Sequence, residues 1–596
     1  MCGISGIYNF LNKDLDGKKI IKKIIRIQNT RGPDNSNLWG SECNKVYFGH
    51  NRLSIIDLSN DANQPFVSKD KNYSITFNGE IYNYKSIKEE LEKKNIFFKS
   101  KSDTEVILES YKYWGINFLS KLRGMFAFAI WDNLNKKLIL VRDPFGIKPL
   151  YYTKKDNIFY FASEIKSILS IDNLNFKKSE KGIVSYFLWG NVQEPFTLYK
   201  DIESVEKGTA KVIFENGLEK THKYASIKDE ILNSEKEYFK STNDLNQKLK
   251  FCIDETVNHH QVSDVPVTLL LSAGLDSSVI LSSLNKKDKK NCSALTLDFY
   301  QNQKLNESSI AKISAEKNKI KHFTKSFNED ELKFQVQKFF KRMDSPTNDG
   351  LNNFIVSYFA KQKGSKVILS GIGGDELFQG YPSFKRIPNI KFLPKSKLVG
   401  DLVYYILKPI LNALNINQKY AGILKYGKNT AEAYYLQRSF MFQDDLKKFL
   451  SPETFKIGFE ELNLFGEIDN DLKDFEDNKL AIMYLEIKYY LSSKLLRDAD
   501  WTSMSNSTEL RTPFVDWFFF KQILPLIKSN INVTKSNLFE CYKMNLPNEI
   551  NKRDKTGFVI PYKYLYELVT NKKIASSKIL KEWTILNYSK YLNNEK

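Results

Sequence analysis

Apolar and polar positions alternate in short runs over the first third of the chain. Lys45–Gly49, Tyr73–Phe77, Met125–Trp131, Lys137–Val141 and Ile158–Ala162 read as strands separated by Gly and Asn turns. Between them, Tyr84–Lys94 and Thr104–Trp114 carry the spacing of helices, so this part is a layered α+β domain. From about Asp201 to Glu237 the pattern turns charged and irregular, with a hairpin signal at Glu215-Asn216-Gly217. That stretch predicts a domain at 2–200, a linker at 201–237 and a second domain at 238–596. In the second domain long helical patterns surround a few strands. Val265–Leu271 is a continuous apolar run suited to a parallel strand buried on both faces, and Val367–Leu369 is a shorter one. The longest apolar segment, Leu402–Ile416, is broken by Lys408 and Pro409 and is too short to cross a bilayer. It predicts a pair of core helices bent at the proline; its basic lead-in, Lys391 to Lys397, leaves contact with a membrane surface as the alternative.

A chain of 596 residues needs more than one core, and 42% hydrophobic content excludes a disordered protein. Five scattered cysteines (Cys2, Cys43, Cys252, Cys292, Cys541) form no C-x-x-C pair, which predicts neither a zinc site nor a disulfide framework. The first residues, MCGISGIYNFLNKD, lack the basic start and apolar stretch of an export signal, so a cytoplasmic location is expected. The net charge of +20 comes from lysines spread along the whole chain beside abundant Asn and Ile. A general compositional bias explains it, and no nucleic-acid partner is expected.

Cys2 changes the picture, because removing Met1 makes it the terminal residue. An α-amine titrates at roughly pH 7.7–8.0, so such a thiol carries its own base. The competing reading is a small buried residue at the start of a strand. Asn78-Gly79-Glu80 offers an amide and a backbone N–H for an oxyanion and a carboxylate beside them, Arg52 a fork for a carboxylate, and Asp103 a partner for an ammonium. Taken singly, Asn-Gly is a hairpin turn and Ser102-Asp103-Thr104-Glu105 a helix cap. Further on, the strands at 265–271 and 367–369 each feed a Ser/Gly turn, Ser272–Ser278 and Ser370–Phe378. Turns of this type cradle phosphate. Each carries an aspartate, Asp276 and Asp375, which either cap helices or hold a hard cation such as Mg²⁺ together with substrate phosphates.

Cys2-Gly3-Ile4, Arg31-Gly32-Pro33-Asp34, Asn51-Arg52-Leu53-Ser54-Ile55, Asn78-Gly79-Glu80-Ile81-Tyr82-Asn83, Ser102-Asp103, Gly124–Phe128 and Arg142–Gly146 together resemble a class II glutamine amidotransferase domain. The resemblance implies a four-layer αββα Ntn-type glutaminase fold. It assigns Cys2 as nucleophile, its amine as base, Asn78 and Gly79 as the oxyanion hole, and Arg52, Glu80 and Asp103, with Asn78 and Gly79, as the grip on glutamine.

The two Ser/Gly turns, with Asn306-Glu307-Ser308, Leu496–Asp500, Glu509–Phe514 and Arg553–Phe558, resemble the synthetase domain of glutamine-hydrolysing asparagine synthetases. This implies a parallel-sheet adenine-nucleotide α-hydrolase (PP-loop) fold with a helical C-terminal part. It also implies ATP contacts at Ser272, Ala273, Gly274, Leu275, Asp276, Ser277, Leu297, Ser370 and Gly371, Mg²⁺ on Asp276 and Asp375, and Lys555 stabilising charge during acyl transfer. The implied carbon–nitrogen ligase adenylates a carboxylate, by family default aspartate, and amidates it with ammonia from glutamine. A homodimer is left open.

Two departures qualify the likeness. Ala273 replaces the first glycine of the usual Ser-Gly-Gly, which costs roughly 1–2 kcal/mol if that position needs a positive φ and little otherwise. Ile372 stands where asparagine-forming relatives carry a glutamate that acts as base toward ammonia. Either another group takes over or the acceptor differs. A sugar uronic acid of surface-polysaccharide synthesis is the alternative acceptor, and Gly380-Tyr381-Pro382-Ser383-Phe384 fits that subgroup.

Overall fold

Along the strand Gly3–Asn9, Ile4 and Tyr8 point one way and Ile7 the other. Ile4 and Tyr8 join Val46, Phe48, Phe159 and Phe161 and meet Ala127, Ala129, Trp131, Leu138 and Leu140 in one apolar layer. Ile7 packs instead with Ile21 and Ile24 of the helix Gly17–Ile27. A period of two thus buries both faces of the strand, one against a second sheet and one against a helix.

The computed structural model describes residues 2–10, 15–298, 307–390, 397–414, 416, 418–552 and 561–594. Its first half holds two six-stranded antiparallel sheets. In the first, Gly3–Asn9 lies between Ile158–Ala162 and Val46–Arg52. In the second, Gly124–Asp132 lies between Tyr73–Ile81 and Lys137–Arg142. The helices Tyr84–Glu92 and Asp103–Trp114 cover the outer face of the second sheet, with Ile87, Val106, Ile107 and Tyr111 in the same core as Ile75, Phe128 and Ile130. The order of layers is αββα.

The 201–237 stretch carries the strands Glu203–Ser204, Thr209–Phe214 and Glu219–Lys223 and the helix Ile227–Asn233. Thr209–Phe214 pairs with Lys137–Arg142 and so extends the second sheet. Glu219–Lys223 is the outermost strand of that sheet and mostly exposed, so its charges hide its strand pattern in the sequence.

The second half is built on a five-stranded parallel sheet ordered Lys321–Ser326, Cys292–Asp298, Val267–Leu270, Val367–Leu369, Glu509–Arg511. The two strands that feed the Ser/Gly turns are neighbours, so both turns emerge side by side at the carboxyl edge, where open parallel sheets bind ligands.

The expected pair of core helices at 402–416 is replaced by one helix, Lys397–Ala413, with Pro409 inside it. Its apolar side chains face outward: Leu402 is 63% exposed and Ile406 53%. Tyr404 and Lys408, both bonded to Asp444, tie the opposite side to the body. Hydropathy identifies an apolar face but not what covers it.

Candidate active sites

Cys2 sits at the leading end of the Gly3–Asn9 strand, and Asn78-Gly79-Glu80 lie on Tyr73–Ile81 of the other sheet. Across the gap the Cys2 backbone nitrogen donates to Asn78 Oδ1 at 3.0 Å. With its oxygen engaged, the Asn78 side chain leaves Nδ2 buried and without a hydrogen-bond partner. An orphaned buried donor costs about 1–3 kcal/mol and persists where a ligand atom meets it. Gly79 has φ +151°, and a Cβ there would stand 2.1 Å from the Met125 carbonyl oxygen, so only glycine fits beside that amide.

Burial pushes the Cys2 thiol up, against the Leu53 backbone N–H and the Arg52 guanidinium, which favour thiolate. The thiol therefore needs a base. His50, opposite Ile4 in the sheet, is pushed down to about 3 by burial and stays neutral and weakly basic.

Arg52 donates to Ser59 O and Asn63 Oδ1, each at 2.8 Å, and to Asp57 O, all neutral oxygens. Glu80 and Asp103 are both buried. Burial raises Asp103 to about 7, and burial with repulsion from Glu509 and Asp103 raises Glu80 well above the carboxylate range. Asp103 Oδ2 accepts from the Ile81 N–H at 3.1 Å, whereas Glu80 Oε2 has no hydrogen-bond partner. Burial holds both carboxylates up, at Glu80 against the pull of the Arg511 guanidinium.

In the second half, all nine positions expected to touch ATP line one cavity of about 470 Å³. Gly274 N and the Ser277 hydroxyl both meet Ser272 Oγ at 3.1 Å, which shapes the first turn. Ala273 is not among the residues with positive φ, so its methyl carries no backbone strain. A Cβ on Gly371 would lie 2.8 Å from the Asp276 Cβ, so glycine lets the two turns touch. Asp276 and Asp375 converge on Lys535 Nζ, which contacts Asp276 directly and stands 3.2 Å from Asp375. Burial alone would lower Lys535, and the two carboxylates more than offset it. Among the described residues no three His, Cys, Asp or Glu side chains converge to hold a metal. Two carboxylates plus substrate phosphates nevertheless suit Mg²⁺, which keeps few protein ligands.

Ile372 also lines this cavity, and so does Glu376, which burial and Asp375 raise to about 7. Glu376 accepts from the Tyr381 hydroxyl at 2.8 Å. Arg438 lies over the rings of Tyr381 and Tyr490 at 4.3 and 3.8 Å and borders a second cavity of about 1160 Å³.

Lys555 lies outside the described residues, as does Asn306. Three residues had no role in the sequence reading. Lys535 is one, with no local motif to mark it. Arg511 reaches 3.7 Å from Glu80 Oε2, while its backbone carbonyl accepts from Ser370 N at 2.9 Å, so one residue touches both sites. Arg31 donates to Cys2 O at 3.0 Å and forms a buried ion pair with Asp500 at 2.8 Å. The last two lie inside recognised motifs, which was the available signal.

Residues 1–225 match the family described as glutamine amidotransferase domain, and residues 248–591 match asparagine synthase. The chain is 33% identical to glutamine-hydrolysing asparagine synthetase 1 of Bacillus subtilis (strain 168), over 95% of this chain and 88% of that protein. It is 27% identical to asparagine synthetase 3 of the same organism, over 94% of this chain and 87% of that protein. It is also 27% identical to the amidase chry2 of Gibberella zeae, over 96% of this chain and 91% of that protein.

Proposed function

Because the chain belongs to the asparagine synthase family, with a glutamine amidotransferase domain ahead of the synthase domain, we propose that it is a glutamine-dependent amide-forming ligase whose default acceptor is aspartate. With Met1 removed, the Cys2 nitrogen becomes an α-amine that takes the thiol proton. The thiolate attacks the side-chain amide of glutamine, held by its carboxylate at Arg52 and its ammonium between Glu80 and Asp103. Asn78 Nδ2 and the Gly79 N–H receive the oxyanion, ammonia leaves, and water releases glutamate from the thioester. The observation that carries this reading is the buried, unpartnered Asn78 Nδ2 beside Cys2, supported by the carboxylates of Glu80 and Asp103, both raised by burial.

In the second site the acceptor carboxylate attacks the α-phosphorus of ATP, pyrophosphate departs, and ammonia displaces AMP from the acyl adenylate. Asp276 and Asp375 would hold Mg²⁺, which neutralises phosphate charge when bound. Lys535, moved off the carboxylates, is placed to contact the leaving pyrophosphate. Glu376 is the base in place of the carboxylate missing at Ile372: it is the one acidic residue of this cavity's described lining beyond Asp276 and Asp375, and it titrates at about 7. Lys555 retains the charge-stabilising role that its motif implies.

A larger acceptor, such as a sugar uronic acid, is the second reading. It is favoured by the 1160 Å³ cavity, which borders the Tyr381–Arg438–Tyr490 stack and is lined by Lys419, Lys408 and several tyrosines. Purified enzyme given glutamine, Mg²⁺-ATP and aspartate is expected to yield asparagine and pyrophosphate. Pyrophosphate release only with a uronic acid would select the second reading, and absence of glutaminase activity would overturn both.

A further inference from the structure

Ten of the 22 exposed large apolar side chains among the described residues lie between 398 and 420, most of them on the helix Lys397–Ala413. Leu398, Leu402, Tyr405, Ile406, Ile410 and Leu414 recur at steps of three and four, which places them on one helical stripe. A surface helix of a globular protein normally turns such a stripe to the core. Here the reverse orientation is fixed from beneath. Tyr404 is fully buried and bonds Asp444 at 2.8 Å, Lys408 bonds the same carboxylate at 2.9 Å, and the Gly400 backbone lies against Leu424 O, 2.6 Å from where a Cβ would be.

We propose that this helix lies flat in the surface of an anionic lipid bilayer. Charge supports a lipid occupant. Lys385 and Arg386 are exposed on the preceding helix, Ser383–Ile390, and the sequence from 377 to 400 contains three further lysines and no acidic residue. A basic lead-in beside an apolar stripe matches negative headgroups above an acyl layer. Tyr405 and Tyr420 are exposed in the same patch, and tyrosines favour that boundary. The helix lies on the membrane rather than through it, since no described helix is long and apolar enough to cross one. The helix also supplies Tyr405, Pro409 and Asn412 to the wall of the 1160 Å³ cavity, so docking holds that cavity against the lipid surface. None of this depends on the ligase reading.

The test is flotation of the purified full chain with phosphatidylcholine vesicles, with and without phosphatidylglycerol, alongside its oligomeric state in solution. Wild type is expected to float with phosphatidylglycerol vesicles and to be released by salt. The variant L402S/I406S/I410S is expected to lose about tenfold or more in partitioning, and K385Q/R386Q about tenfold, with melting temperature and glutaminase rate unchanged. Failure of wild type to float, or equal flotation of wild type and the triple variant, overturns the proposal. So does a wild-type dimer that the triple substitution splits without any vesicle binding.

Discussion

The two candidate sites solve opposite problems with similar residues. At the first, Cys2, Asn78, Glu80 and Asp103 are all buried, and the polar atoms left without partners are a donor and a carboxylate oxygen. At the second, the side chains of Asp276 and Asp375 are 20% and 19% exposed and already share the cation of Lys535. On the proposed reading the first site takes a small zwitterion that brings few charges and releases ammonia, which a dry, pre-set site suits. The second would take a polyphosphate that brings many charges and a metal, which suits an open site whose carboxylates carry an exchangeable counterion, Lys535. The two are joined through Arg511, which faces Glu80 with its side chain and Ser370 with its carbonyl.

The largest effect should separate the sites outright. Cys2→Ala is expected to lower glutamine-dependent synthesis on the order of 10⁴-fold or more, as nucleophile removal does elsewhere. Pyrophosphate release with added ammonium salt should stay within about twofold, because Cys2 is not among the described residues that line the second cavity. Loss of both activities would show that the dry site also shapes the open one.

The complementary change is Glu376→Gln. Removing a general base costs about 10²–10⁴-fold, so synthesis should fall by that much while glutaminase activity persists. The pH profile gives the sign. Glu376 titrates at about 7 and is a base only when deprotonated, so ammonia-supported synthesis should fall as pH drops below about 7, after correction for free ammonia. The glutamine variant should lose that limb. An unchanged limb would move the role to another group.

These predictions rest unequally on the sequence. The first site was legible because its groups lie at strand ends in contiguous words: Asn78 to Glu80 is one stretch of one strand. The boundaries of Ile158–Ala162 agreed to the residue, and Tyr73–Phe77 was extended to Ile81. The open site was legible only in its turns. Lys535 lies on the helix Lys535–Tyr542, far along the chain from Asp276, and an isolated lysine has no local signature. Arg31 and Arg511 were visible as motif letters but not as contacts, because their partners Asp500 and Glu80 belong to the other half of the chain. The outward face of Lys397–Ala413 was hidden for a different reason: a buried and an uncovered apolar stripe have the same period.

A smaller effect tests how far the dry site is pre-set. Asn78→Ala removes one oxyanion donor and should lower the glutaminase rate by about 10²–10³-fold. Ammonia-dependent synthesis should not change. Asp103 adds a pH signature. Its folded value is raised to about 7, so below that pH it is neutral and loses its attraction for the substrate ammonium. KM for glutamine should therefore rise by up to about tenfold per pH unit below 7, until the bound ammonium no longer shifts the equilibrium. A flat KM would take both raised carboxylates, Asp103 and Glu80, out of ammonium binding.

The smallest effect concerns the residue that departs from the usual phosphate loop. Ala273 is buried and has no positive φ, so its methyl neither strains the turn nor needs glycine's freedom. Ala273→Gly should leave KM for ATP in pyrophosphate exchange within about twofold. It should also lower stability by about 0.4–1 kcal/mol, because glycine gains more freedom in the unfolded chain. The result bears on the contrast between the sites. At Gly79 a Cβ would strike a carbonyl oxygen, so a dry, pre-set site tolerates no added methyl. At Ala273 the open site already contains one, and a fall in KM of tenfold on removing it would mean that the second site is as tightly fitted as the first.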